Sequence, residues 1–167
     1  ISRGYKKRGR GLVVVSNGLS VLSNSSVCGD EPLVLATKNK KIPIVVGNKV
    51  DCCVFAQKNF LSKTIIIDDG FQSHYIKKDL EILLIDTSVS INQYFIFPVG
   101  KLREPLTAIS RAKFVIFTKT NLFNKHKQKI IDLVMPYINL KNQLVFHSSL
   151  IYKIFIRHNN QLSLYDK

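Results

Sequence analysis

Cysteine and histidine are scarce in this 167-residue chain, and their scarcity excludes two common kinds of site. The three cysteines, Cys28, Cys52 and Cys53, provide neither an even disulfide framework nor the spaced pairs of a zinc site. We interpret them as the reduced thiols of a cytosolic protein. The histidines are scattered, so their spacing predicts no metal cluster; they are His74, His126, His147 and His158.

Long apolar runs are also missing. No run approaches the roughly 18 residues that a membrane-spanning helix needs, so we expect any membrane contact to be peripheral. The sequence has no internal repeat and no low-complexity stretch. With 46% hydrophobic and 22% charged residues, the composition is typical of a globular chain of about one domain.

Acidic residues are few, and the 25 basic against 11 acidic residues give a formal net charge of +14. Such a charge favours anionic partners, namely nucleic acid, nucleotide phosphates or an acidic membrane surface. The basic residues comprise 19 lysines and only six arginines, whereas proteins that read nucleic-acid sequence depend on the arginine fork. The surface therefore reflects either compositional drift towards lysine or a true anion-binding role, and both remain open.

Segments with strand and helix patterns alternate through the first 140 residues. Apolar, β-branched runs predict strands, and wider apolar spacing or capping signals predict helices. The alternation predicts an α/β fold with a largely parallel sheet flanked by helices over residues 1–140. Three short alternating runs then predict an antiparallel appendage, the β-rich start of a second subdomain, over residues 141–167. The predicted strands are 12–16, 42–47, 64–68, 80–86 and 113–119, the helices 31–39, 50–61, 102–112 and 126–138, and the tail runs 143–149, 152–157 and 162–166.

Two adjacent acids, Asp68 and Asp69, close one of the predicted buried strands. Ligands bind at the carboxyl ends of parallel strands, and Gly70 would let the chain turn sharply there. Two neighbouring carboxylates favour a cation, and Mg²⁺ takes one or two carboxylates together with substrate phosphates. The alternative is that Asp68 caps the turn and Asp69 is merely solvated.

The "GDEP" segment places Asp30 and Glu31 at a predicted helix start, with Asp30 as the expected cap. Acids there complement the helix dipole, which is sufficient reason for their presence. In a crevice, Asp30 could instead take the proton from an attacking hydroxyl as a general base. Arg103, at the start of another predicted helix, could clamp a phosphate or form a weak surface pair with Glu104 or a nearby acid.

The first residues, "SRGYKKRGRG", place Ser2, Arg3 and Tyr5 beside a cluster of basic residues at 6–10. This segment is either a flexible basic loop or an anion-binding mouth for a phosphorylated or membrane-held substrate. A Gly-rich loop ending in Lys and Ser or Thr, the first element of phosphate-loop enzymes, is absent from the sequence.

The order of the motifs "SRGY", "GDEPLVLA", "VVG", "DDGFQ", "KKDLEILLID", "FPVGKLREPLTAISRA" and "FVIFTK" resembles the tetraacyldisaccharide 4'-kinase (lipid A 4'-kinase) family of Gram-negative bacteria, over residues 1 to about 120. The resemblance implies a phosphate-loop fold and transfer of the γ-phosphate of ATP to the 4'-hydroxyl of a tetraacylated disaccharide 1-phosphate, giving lipid IVA. It implies a peripheral protein on the cytoplasmic face of the inner membrane, whose partners are ATP and the acylated lipid, with no nucleic acid expected.

The resemblance also assigns roles by matched motif. Asp30 falls on the family's catalytic base, with Glu31 beside it, and Asp68 and Asp69 fall on the acids that serve Mg²⁺ and the phosphates. The remaining assignments are ATP-binding for Arg103 and Glu104, and substrate-binding for Ser2, Arg3, Tyr5, Lys49 and Gln72.

Two positions depart from the family pattern. The family usually has His after "DDGFQ", where this chain has Ser73 followed by His74. Lys49 is the nearest basic residue to the Arg that commonly follows "VVG", and a lysine keeps the charge but loses the planar fork. These changes leave open whether the enzyme is divergent or weakened.

The sequence begins with Ile rather than Met, and the resemblance implies that the phosphate loop and a membrane-engaging helix would precede residue 1. It likewise places the histidine partner of the catalytic base beyond Lys167. We therefore expect the central segment of a longer enzyme, inactive alone. Two alternatives remain: a basic, non-catalytic α/β module that binds nucleic acid, and a different phosphate-loop small-molecule kinase.

Overall fold

The computed structural model describes residues 1–4, 11–152, 155–158 and 161–164. These residues form two compact units, Ile1–Lys77 and Lys78–Lys167. The division lies after Lys77. The domain boundary that the sequence predicted at residue 140 stays a prediction. Tyr5 and the basic cluster at 6–10 lie outside the described residues.

The first unit is built around an antiparallel pair of strands. Valine and isoleucine dominate both strands, and β-branched residues favour this conformation. The prediction of strands near 12–16 and 42–47 and of a helix near 50–61 is confirmed to within a residue or two. The elements are β1 (Val13–Asn17), α1 (Ser25–Cys28), α2 (Asp30–Lys38), β2 (Pro43–Val46) and α3 (Lys49–Phe60).

A small hydrophobic core lies between these strands and helices. Side chains from β1, α1, α2 and β2 are almost completely removed from solvent, which is the main favourable contribution to folding. The core therefore fixes α2 against the strand pair. Its buried members are Val15, Cys28, Ala36, Ile44 and Val46.

The first two residues of the chain join two otherwise separate segments of this unit. The amide of Ser2 donates to the Val45 carbonyl at 3.1 Å, and the Gly47 amide donates to the Ser2 carbonyl at 3.2 Å, forming a parallel bridge to β2. On the other side, Ile1 donates to the Ile66 carbonyl at 2.7 Å, and the Asp68 amide donates to the Ile1 carbonyl at 2.8 Å. Residues 1 and 2 thus tie the segment 64–68 to β2.

The prediction that residues 64–68 form a strand is wrong. The segment is apolar and β-branched, but a strand also needs a ladder of partners on a neighbouring strand. Among the described residues, its main-chain hydrogen bonds reach a single residue, Ile1, at Ile66 and Asp68. Local propensity alone therefore does not produce a strand at this position.

The second unit contains a three-stranded parallel sheet in the order β3-β4-β5, together with helices and a short antiparallel hairpin. This arrangement confirms the predicted α/β fold class with a largely parallel sheet and an antiparallel appendage. The elements are β3 (Ile82–Asp86), 3-10 helices Ile91–Tyr94 and Leu106–Arg111, β4 (Phe114–Thr118), α4 (Lys127–Val134), 3-10 helix Met135–Tyr137, β5 (Leu144–His147), β6 (Phe155–His158) and β7 (Gln161–Leu164).

Two predictions for this unit need correction. Residues 143–149 were assigned to the antiparallel tail, but β5 pairs parallel with β4, because α4 connects them as the crossover of a βαβ unit. Residues 102–112 were expected to form a helix, but a 3-10 helix begins only at Leu106. Pro105 has no amide to donate, so a helix that continues through it would lose a hydrogen bond.

The buried side chains of β4 and α4 form the core of this unit. Val115 and Phe117 are two residues apart and lie on the same face of β4. Ile130 and Val134 are four residues apart and share one face of α4. All four are completely buried. Within the described residues, no helix combines the length and the apolar character that crossing a bilayer requires.

Candidate functional site

The acid doublet Asp68–Asp69 directly follows the segment that Ile1 holds. An Asp68 carboxylate oxygen, Oδ2, accepts a hydrogen bond from the Ser2 hydroxyl at 3.2 Å, and the Asp68 amide is bonded to the Ile1 carbonyl. Both the main chain and the side chain of Asp68 are therefore fixed by the first two residues. The structure thus joins the "SRGY" and "DDGFQ" motifs, which lie more than sixty positions apart in the sequence.

Asp69 makes the turn that the sequence analysis assigned to Gly70. Its φ of +48° lies in the left-handed region, which aspartate tolerates better than most residues. Gly70 serves a different purpose, because a Cβ there would lie 3.0 Å from the Ile67 carbonyl oxygen. The turn continues to Ser73, whose amide donates to the Gly70 carbonyl at 2.9 Å.

Lys49 reaches this turn from the start of α3. The Asn48 side chain caps the helix by accepting hydrogen bonds from the amides of Val50 and Asp51, which makes Lys49 the first helical residue. The lysine is only 3% exposed. Its ammonium group donates to the main-chain carbonyl of Asp69 and, at 3.3 Å, to the Ser73 hydroxyl.

Ser73 is buried with 4% exposure, whereas its neighbour His74 is exposed. Adjacent residues in a turn point in different directions, so it is Ser73 that meets Lys49. Gln72 is half-buried beside them. The structure therefore brings together five residues, which we call the acid cluster: Ser2, Lys49, Asp68, Asp69 and Ser73.

Asp30 and Glu31 occupy the first turn of α2, and both are exposed. The prediction that Asp30 caps this helix is wrong by one residue. The cap is Gly29, whose φ of +88° favours glycine, and no side chain makes a capping hydrogen bond. Among the described residues, no hydrogen bond or ion pair joins Asp30 or Glu31 to the acid cluster. The Asp30 carboxylate is therefore not used for capping.

The other predicted site residues are Arg3 and Tyr5 near the start of the chain, and Arg103 and Glu104 in the second unit. Arg3 is exposed and follows Ser2 directly, while Tyr5 lies outside the described residues. Arg103 is exposed, and Glu104 forms an ion pair with Arg111 at 2.8 Å. The sequence analysis did not consider Arg111 as a partner for Glu104.

A polar cluster at the ends of β3 and β4 was not identified from sequence. Asp86 accepts from the Lys119 ammonium at 2.6 Å and from the Ser88 hydroxyl at 2.6 Å. Partial burial works to raise the pKa of Asp86, but the hydrogen bonds from Lys119 and Ser88 outweigh it and hold that pKa below its usual range. The available signal was that Asp86 and Lys119 each end a predicted strand.

Tyr94 packs against the same strand end. Its hydroxyl donates to the Asp86 main-chain carbonyl at 2.8 Å. Burial, with a smaller contribution from the Asp86 charge, raises the pKa of Tyr94 to about 12. The tyrosine is therefore a neutral hydrogen-bond donor that supports the loop after β3.

The described residues contain no group of three or more histidine, cysteine or acidic side chains that could hold a metal ion alone. The acid doublet fits a different kind of site. Asp68 and Asp69 are both exposed and offer hard carboxylate oxygens. Mg²⁺ typically takes one or two carboxylates and completes its shell with water and substrate phosphates, so the doublet suits Mg²⁺ bound together with a nucleotide.

Comparison with known proteins assigns this chain to a family. The family model LpxK, described as Tetraacyldisaccharide-1-P 4'-kinase, matches residues 1–163. The tetraacyldisaccharide 4'-kinase of Halothermothrix orenii is 36% identical over 141 residues, covering 82% of this chain and 37% of that protein. That of Pelodictyon phaeoclathratiforme is 30% identical over 162 residues, covering 90% of this chain and 46% of that protein.

A solved structure agrees with these relatives. The "apo" form of LpxK from Aquifex aeolicus in complex with ATP superposes with a TM-score of 0.68 and 26% sequence identity. The match covers 93% of this chain and 44% of that one, so the chain spans less than half the length of each of these relatives. The chain belongs to the tetraacyldisaccharide-1-phosphate 4'-kinase family.

Proposed function

We propose that the whole protein transfers the γ-phosphate of ATP to the 4'-hydroxyl of tetraacyldisaccharide 1-phosphate, giving lipid IVA. Family membership over residues 1–163 supports the reaction class. The observation that carries the proposal is the contact between the Ser2 hydroxyl and the Asp68 carboxylate. It joins the segment assigned to the substrate with the acids assigned to the metal and the phosphates.

In this proposal Asp30 is the general base. Its carboxylate takes the proton of the 4'-hydroxyl while that oxygen forms a bond to the γ-phosphorus and the bond to the ADP oxygen breaks. An exposed carboxylate at the start of α2, without a capping role, is available for this proton. Glu31, which is proposed to act with it, lies beside it in the same helical turn.

Asp68 and Asp69 are the residues that would hold Mg²⁺. When bound, the ion would neutralise charge on the phosphates. Arg103 and Glu104 are proposed to act near the ATP phosphates, Arg103 through its guanidinium. The ion pair of Glu104 with Arg111 would fix the main chain beside Arg103.

Ser2, Arg3, Tyr5 and Gln72 are proposed to line the substrate side. The formal charge of +14 suits an anionic lipid held in a membrane surface, so we propose peripheral contact with the cytoplasmic face of the inner membrane. No nucleic-acid partner is expected, because exposed acids repel phosphates unless a metal intervenes.

The experiment uses the whole protein in detergent micelles that contain tetraacyldisaccharide 1-phosphate and ATP labelled at the γ-phosphate. We expect label in the lipid product with the wild-type protein. Asp30→Asn should lower kcat by about 10²–10⁴-fold and change the Kd for ATP by less than about twofold. Asp132→Asn, an exposed acid on α4, is the matched control and should leave kcat unchanged. A wild-type protein that transfers no label, or an unchanged kcat in Asp30→Asn, would contradict the proposal.

A further inference from the structure

We propose that Lys49 is a positioning residue that holds the turn carrying the acid doublet, with Ser73 as its second anchor. The structural half of this proposal concerns only the turn at residues 69–73. Its catalytic consequence rests on the proposed kinase function.

The contacts of Lys49 reach far along the sequence. Its ammonium group donates to the Asp69 carbonyl, twenty residues away, and to the Ser73 hydroxyl, twenty-four residues away. Asn48 fixes the start of α3, so the lysine stem leaves from a defined position on the helix. One side chain therefore bridges α3 and both ends of the turn.

The hydrogen bond from Lys49 to the Asp69 carbonyl acts on a residue whose main chain is strained. Asp69 has a φ of +48°, which costs free energy for any residue with a Cβ. The Lys49 ammonium holds the carbonyl oxygen of that same residue, so relaxing Asp69 would rotate its peptide group and break the hydrogen bond. The lysine therefore stabilises the conformation that presents the doublet.

The ammonium group of Lys49 is buried, which is unusual for a lysine. Removing such a group from water is costly unless hydrogen bonds compensate for it. Lys49 is nevertheless 3% exposed, and Ser73 is 4% exposed. A buried charge that holds a functional turn is consistent with a positioning role.

The same burial distinguishes this role from the direct substrate contact predicted from sequence. A lysine that binds a phosphate presents its ammonium group to the ligand. Here the group is directed at the Asp69 carbonyl and the Ser73 hydroxyl. Lys49 would therefore affect the reaction through the position of Asp68 and Asp69.

The test combines hydrogen exchange with kinetics on the whole protein. Lys49→Met keeps the length of the side chain and removes the ammonium group. Peptides covering residues 64–76 should exchange about tenfold faster than in the wild type, because the turn loses its anchor. Ser73→Ala should raise exchange by a smaller factor, and the double variant should exchange no faster than Lys49→Met, since both changes break one network.

The kinetic readout separates positioning from binding. In Lys49→Met, kcat should fall by about tenfold or more, while the Kd for ATP measured without Mg²⁺ changes by less than about twofold. Lys49→Arg, which keeps a donor, should recover part of the exchange protection and of kcat. The control is Lys58→Met, which makes the same change at an exposed position of α3 and should alter neither readout.

Unchanged exchange of residues 64–76 in a folded Lys49→Met protein would overturn the proposal, and so would a raised KM for the lipid without faster exchange. If Lys49→Met does not fold, Ser73→Ala decides: faster exchange supports the proposal, and unchanged exchange overturns it. If the wild-type protein transfers no phosphate but Lys49→Met still exchanges faster, the anchored turn is supported and the proposed kinase function is contradicted.

Discussion

The two units of this chain both place an aspartate at the end of an apolar segment, but they surround it differently. In the second unit, Asp86 at the end of β3 is paired with the ammonium group of Lys119 at 2.6 Å. In the first unit, Asp68 receives a hydrogen bond from a neutral hydroxyl, that of Ser2, at 3.2 Å. An ammonium partner already supplies a positive charge to its carboxylate, whereas a hydrogen bond from a neutral hydroxyl supplies none.

The comparison shows how similar sequence patterns acquire different uses. An apolar run that ends in aspartate occurs in both units, at 64–68 and at 80–86. The partner that folding brings to the acid decides whether the charge is satisfied within the protein or left for a ligand. We therefore interpret Asp86 as structural and propose that Asp68 is functional.

The largest effect is expected from the core beneath Asp86. Phe117 is completely buried on β4, and Phe117→Ala should lower the free energy of unfolding by about 3–5 kcal/mol. Denaturant titration followed by circular dichroism measures the loss. A loss below about 1 kcal/mol would show that β4 does not support the sheet that positions Asp86.

The second effect separates the two aspartates directly. Asp68→Asn keeps an acceptor for the Ser2 hydroxyl and removes the charge, so kcat of the whole protein should fall by about 10²–10³-fold. The matched variant Asp86→Asn should change kcat by less than about threefold, because its charge serves Lys119. Equal losses of kcat in the two variants would show that the distinction between the units is wrong.

A smaller effect is expected from the partner of Asp86. Lys119→Met removes the ion pair, whose two side chains remain about one-third exposed, so the stabilisation is reduced by solvent screening. The free energy of unfolding should fall by about 0.2–1 kcal/mol, and the loss should shrink as the salt concentration rises. A loss independent of salt would assign the effect to packing of the lysine stem.

The smallest effect concerns pH. The pKa of Asp86 is lower in the folded protein than its usual 3.8, so ionised Asp86 stabilises the fold above that value and the stabilisation is lost as pH falls through the folded pKa. The difference in melting temperature between wild type and Asp86→Asn should therefore be present at pH 6 and shrink below about pH 4. A difference that grows under acid conditions would contradict the sign of this pKa shift.

Much of the fold follows from local sequence patterns. β-branched runs located β1, β2, β3 and β4, and the "DEP" signal located α2 to within a residue. The patterns failed where the result depends on a distant partner. Residues 64–68 have strong strand propensity, but within the described part of the chain their main-chain hydrogen bonds reach only Ile1. β5 joined the parallel sheet because α4 precedes it.

Prediction of the candidate site from sequence also failed where a feature depends on a distant residue. The residue types that could act were recognisable, because Asp30, Asp68 and Asp69 occur in distinctive motifs at segment ends. Their environments could not be recognised from sequence. The neighbouring residues predict neither the left-handed φ of Asp69 nor the burial of Lys49 against Ser73. Both depend on contacts between residues twenty or more positions apart. The functional roles of all the predicted site residues stay predictions.

The attachment of residues 66–68 to Ile1 also has a consequence for the order of folding. Those hydrogen bonds close a loop of about 65 residues, and closing so long a loop costs chain entropy before any contact compensates for it. Helices α2 and α3 form from local contacts and do not wait for that closure. The doublet should therefore reach its final position late, after the rest of the first unit has assembled around β1 and β2.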